Sequence, residues 1–97
     1  MTQSALNDWL TLAEDTWTLV SEVDCTFVNV GSAPVEIRGD TSAPETSEHG
    51  IVYYTGQGEE GSTGTLARFE GVTATGIWAI CRDPVGGILF VSREAVA

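Results

Sequence analysis

Lysine is absent from this 97-residue chain, whose cations are four arginines and one histidine set against fourteen carboxylates, a formal net charge of −10. Nucleic-acid binding is dominated by neutralisation of phosphates, and Arg38, Arg68, Arg82 and Arg93 are scattered rather than clustered. A nucleic-acid partner is therefore not expected. No apolar run approaches the roughly 20 residues that cross a bilayer. The opening Met1-Thr2-Gln3-Ser4 lacks the basic and apolar segments of a secretory signal. These two features predict a protein made in a cytoplasm, with no membrane partner. Cysteine occurs twice, enough for one bridge and far short of the staples that replace a core in small secreted domains. Cys25 and Cys81 are expected to stay reduced.

Histidine occurs once, which leaves little room for catalysis or metal binding. A hydrolytic triad or a cysteine nucleophile would both need His49, which lies in a polar loop and reads as an ordinary loop residue. Two separated cysteines and one histidine lack the paired spacing of a zinc site. Calcium has a better case, because Asp40, Glu45, Glu48, Glu59 and Glu60 fall on two loops, but no alternation of acids resembles a known calcium loop. These loops read as a solvated acidic rim. The stretch 56–64 has the glycines of a phosphate cradle but two carboxylates where the anion would sit, and it reads as a hairpin tip. No catalytic residue, cofactor or metal is expected.

Twelve threonines, ten valines and five isoleucines make 27 β-branched residues, which suit a pleated surface better than a helix. Segments 16–20, 24–30, 34–38, 50–54, 65–69, 77–81 and 88–92 read as short strands, each bounded by glycine, proline or aspartate. Residues 1–15 read as an N-terminal arm leading into an eighth strand around 9–12, although Leu6, Trp9, Leu10 and Ala13 also fit a helical stripe. The sequence thus predicts an all-β fold: a small antiparallel β-sandwich or barrel of seven or eight short strands, with an arm over 1–15 and a single β domain over 16–97. Loops 40–49 and 55–64 are expected to be mobile.

Surfaces for a partner follow from apolar residues that strand alternation does not obviously bury. Ile77-Trp78-Ala79-Ile80-Cys81 is apolar on both faces, so this strand is either central to the fold or covered by a neighbouring chain. Trp17 reads as core, whereas Trp9 reads equally as core or as an interface anchor. Trp9, Leu10, Ile77, Trp78 and Ile80 are the candidate partner interface.

Further residues carry a resemblance. Asn29-Val30-Gly31-Ser32-Ala33-Pro34-Val35-Glu36-Ile37-Arg38 is followed by Pro44 and Gly50 after a polar loop, then by Gly76-Ile77-Trp78-Ala79 and the closing Gly86-Gly87-Ile88-Leu89-Phe90-Val91-Ser92. From residue 16 to 92 the chain resembles a family of small all-β virion proteins of tailed bacteriophages, which decorate heads or belong to tails. The arm and the glycine-rich loop 55–64 depart from that pattern. The resemblance implies a non-catalytic capsid decoration, or cement, protein that binds the major capsid protein or other virion proteins and assembles as a homo-oligomer in the virion. A tail, baseplate or fibre component is the nearest alternative. A different class, an acidic inhibitor of a host enzyme, is suggested by the charge alone. A carbohydrate-binding sandwich would need an exposed ring pair, for which Tyr53-Tyr54 offers at most one outward ring.

Overall fold

The computed structural model describes residues 3–95. Eight strands follow one another: β1 (Leu6–Leu12), β2 (Thr18–Ser21), β3 (Thr26–Asn29), β4 (Val35–Asp40), β5 (Ile51–Tyr53), β6 (Gly58–Glu59), β7 (Gly76–Ile80) and β8 (Gly87–Arg93). They form two four-stranded antiparallel sheets, ordered β1-β8-β3-β6 and β2-β7-β4-β5. Four of the pairings join β1 to β8, β2 to β7, β3 to β6 and β4 to β5. The first half of the chain therefore runs back along the second like one long hairpin. The two further pairings, β3 with β8 and β4 with β7, roll that hairpin into a sandwich. This is the wiring of an eight-stranded jelly roll, two interlocked Greek keys. Of the two architectures that the composition allowed, the sandwich is the one formed.

Alternation fixes which side chains fill the space between the sheets. In β4 the sequence Val-Glu-Ile-Arg-Gly-Asp buries Val35, Ile37 and Gly39 and leaves Glu36, Arg38 and Asp40 half-exposed on the other face. The core gathers such inward positions from both sheets, including Leu12, Phe27, Leu89 and Val91 from the first and Ile37 and Ile77 from the second. Phe27 and Tyr53 meet edge to face across the gap, ring centroids 5.2 Å apart. Cys25 and Cys81 are buried and unlinked, and burial pushes the Cys25 thiol above its ordinary range. Asn29 is one of the buried polar residues, with Gln3, Ser21 and Thr65. Its amide donates to the Ala33 and Tyr53 carbonyls at 2.9 and 3.0 Å and accepts from the Gly31 N–H, so it closes the Gly31–Pro34 turn from inside.

Three expectations need correction. Residues 65–69 form no strand: 3₁₀ turns occupy Gly61–Thr63 and Thr65–Arg68. The Thr65 hydroxyl accepts from the Cys25 N–H and the Leu66 N–H donates to Asp24, tying this segment to the entry of β3. Phe69 lies on the backbone of Gly39, where a Cβ would stand 2.4 Å from its ring. The segment caps the sandwich, and tertiary contacts override its strand propensity. The glycine-rich loop is no free tip either. β6 pairs with β3, and Gly58 passes so close to Phe27 that a Cβ would fall 1.9 Å from its carbonyl oxygen. Finally, β1 begins at Leu6 and runs in unbroken register with β8 from Leu6↔Arg93 to Leu12↔Gly87. The strand expected around 9–12 is thus present but starts earlier, at Leu6, as a full member of the first sheet.

Candidate functional site

The outer faces of the two sheets are finished differently, and the difference locates the candidate site. On the second sheet, the register sets Glu36 opposite Ile80 and Arg38 opposite Trp78. The polypeptide between β4 and β5, residues 41–50, folds back over this face. Arg82 bonds Glu36 through Nε at 2.6 Å and reaches the Thr46 and Glu48 carbonyls through its two Nη atoms at 2.8 and 2.7 Å. Arg38 bonds Asp40, the Glu48 carboxylate and the His49 carbonyl. The Gly50 N–H donates to Glu36, and the Trp17 indole N–H donates to the Glu45 carbonyl. Scattered in sequence, two of the four arginines thus converge to staple one loop.

Electrostatics follow the same geometry. Burial alone would push the Glu36 carboxyl up, but the Arg82 hydrogen bond, the Gly50 N–H and the charges of Arg82 and His49 together hold it below the ordinary carboxylate range. The Thr41 N–H and then Arg38 lower Asp40, and the Glu36 hydrogen bond raises Arg82. Near the other long loop, burial and then the hydrogen bond to Glu59 push Tyr53 up to about 12. Arg68 lies 3.2 Å from the same carboxylate. Asp40 and Glu48 are thus paired with Arg38, and Glu59 with Arg68. His49 projects into solvent, its ring 3.6 Å from Glu36.

On the first sheet, the outward positions carry no charge at all. They are Asn7, Trp9 and Thr11 on β1, Ile88, Phe90 and Ser92 on β8, and Thr26 and Val28 on β3. The register places Trp9 opposite Phe90 and Phe90 opposite Val28, an apolar row across three strands. Trp9 is 65% exposed and Val30, just beyond β3, is 42% exposed. Phe90, Val28 and Ile88 are half-buried. In a chain with eighteen charged residues, an uncharged face with an aromatic row has the composition of an interface centre.

The five residues singled out from sequence separate in space. Trp9 stands on this face. Leu10 points the other way, packed against the core. Ile77 and Ile80 are fully buried, the first between the sheets and the second under the stapled loop. Neither offers surface to a partner, which corrects their place in the candidate interface: the two-sided apolar strand is a central one, β7, covered by the chain's own loop. Trp78 is half-buried on the outer face of the second sheet, its ring over Gly76. Ile88-Leu89-Phe90-Val91 shows the same two-sided apolar pattern as 77–81 and is an apolar contact legible in the sequence, whereas Val28 was missed.

Among known proteins, no family model, no curated protein and no solved structure matches the chain.

Proposed function

We propose that the chain is a virion structural protein, a decoration protein that docks on the head lattice of a tailed bacteriophage through the outer face of its first sheet. One observation carries the reading: the uncharged row Trp9–Phe90–Val28, left uncovered on a molecule of net charge −10. A partner that meets this face buries aromatic area without desolvating a charge, the arrangement that concentrates binding energy in a few anchors. The acidic remainder of the surface would then face outward and discourage particles from aggregating. Jelly-roll wiring is shared by viral capsid and lectin domains, so it is compatible with this role without assigning it.

Quantitative mass spectrometry of purified particles tests the proposal. Many copies per particle are expected for a decoration protein. A handful would move the chain to the tail, baseplate or fibre, and none would leave the acidic inhibitor of a host enzyme. A Phe90→Glu variant should fold and fail to bind particles, since the substitution puts a charge at the centre of the row. Undiminished binding would remove this face from the interface.

A further inference from the structure

The sandwich has four edge strands, and three of them are poor templates for a further strand. β6 has two residues, β5 has three, and the register of β2 shifts between Leu19 and Ser21. β1 has seven residues, pairs with β8 without a bulge, and contains no proline or glycine; its single charge is Asp8. Sheet proteins ordinarily blunt a long edge with proline, bulges or charges, because its unpaired backbone groups invite another strand, and Asp8 is the one such device on β1.

The direction of those groups can be read from two hydrogen bonds. The Ile88 carbonyl accepts from Val30 and Gly31 on the β3 side, so in β8 the residues facing β1 are the alternate ones, Leu89 and Val91. Their partners on β1 are Leu10 and Asp8. Asn7, Trp9 and Thr11 therefore turn their N–H and C=O groups outward. In agreement, the Trp9 N–H meets no strand and donates instead to the carboxylate of its own neighbour Asp8, at 2.7 Å.

We propose that a second copy of this chain adds to the β1 edge, antiparallel, about a two-fold axis through Trp9. The segment Leu6-Asn7-Asp8-Trp9-Leu10-Thr11-Leu12 is nearly self-complementary about that centre. Trp9 falls opposite Trp9 of the second copy, Asn7 opposite Thr11, and Leu6 opposite Leu12. The outward-facing residues Asn7, Trp9 and Thr11 are the ones that this register turns into hydrogen-bonded pairs. The side chains agree as well. The row Val28–Phe90–Trp9 continues into the same row of the second copy in reverse order, giving one eight-stranded sheet with an uninterrupted apolar band. A self-complementary patch related by a two-fold axis closes as a dimer rather than growing into a fibre. The two Asp8 carboxylates come to rest on a diagonal, about 7–8 Å apart, where their repulsion opposes pairing and salt relieves it. This inference stands whether or not the lattice reading is correct.

Sedimentation equilibrium of the full chain, from about 0.01 M to 1 M salt, tests it together with amide exchange followed by NMR. A dimer that tightens with salt is expected, with protection of the Asn7, Trp9 and Thr11 amides rising with protein concentration. Thr11→Pro should weaken dimerisation by on the order of tenfold or more, because it removes one of the outward donors twice over. Proline is tolerated on an edge strand where its missing N–H would face solvent, so the fold should survive. If that variant does not fold, the amide pattern of the unaltered chain decides. Asp8→Ala should strengthen the dimer at low salt. A monomer at every concentration and salt would overturn the proposal. So would a dimer that dissociates as salt rises, or one that leaves these three amides unprotected.

Discussion

On the outer face of the second sheet, Arg38 and Arg82 hold residues 41–50 down over Ile80; on that of the first, Phe90, Val28 and Ile88 stand half-buried beside an exposed Trp9. Both faces come from strands that are apolar on two sides. What separates them is the supply of hydrogen-bond donors. A loop laid over an apolar surface brings carbonyl groups that must find partners there. Glu36 fixes Arg82, Asp40 and Glu48 fix Arg38, and the two guanidinium groups then have N–H groups left for the Thr46, Glu48 and His49 carbonyls. The first face has no charged side chain to do this, so the chain cannot cover it with its own backbone at comparable cost. An apolar face that a protein leaves uncovered is the part available to another molecule.

The largest expected effect comes from removing residues 1–12. Seven register pairs with β8 and the fully buried Leu12 are lost, leaving the inner surface of β8 open. The product should show no cooperative thermal transition by circular dichroism. A folded domain lacking only partner binding would restore this segment to an appendage and dissolve the contrast between the faces.

Arg82→Ala comes next. It removes three charge-assisted hydrogen bonds, leaves Glu36 half-buried without its partner and loosens the cover over Ile80. A loss on the order of 2 kcal/mol in urea unfolding is expected, with the Gly50 amide exchanging faster. A loss under about 0.5 kcal/mol would mean that the loop is held by other contacts.

Acid should act through the same face. Glu36 is lowered from an ordinary value of 4.5 and Asp40 from 3.8. Groups depressed in the folded state contribute stability that is fully present above those ordinary values and disappears as pH falls through the folded ones. Stability should therefore decline below about pH 4.5, and Glu36→Gln should flatten that decline. An unchanged acid limb in the variant would place the titrating groups elsewhere.

The smallest expected effect is on the bare face. Trp9→Ala should change unfolding stability by no more than about 0.5 kcal/mol, as for an exposed side chain. The same substitution should weaken both particle binding and dimerisation. A large stability loss would show that Trp9 serves the fold rather than an interface.

Strand content, the approximate strand positions and the acidic, cation-poor surface were determined by the sequence alone, because β-branching, alternation and turn residues act over a few neighbours. The sequence left Trp9 equally core or anchor, and only the structure sets it at the surface, 65% exposed. Other features depended on residues far apart in the chain. Segment 65–69 has the composition of a strand, but Thr65 and Phe69 are claimed by Cys25 and Gly39, some forty and thirty residues away. Ile80 and Phe90 have equivalent surroundings in sequence. Arg82 ties residues 46–48 to the face that carries Ile80, which is fully buried, whereas Phe90 stays half-buried on the other sheet. The sheet order decided which strand became a free edge, and hence that Asn7, Trp9 and Thr11 point their backbone groups away from the fold. Register and cover are set by long-range pairing, and no local pattern in a single sequence records them.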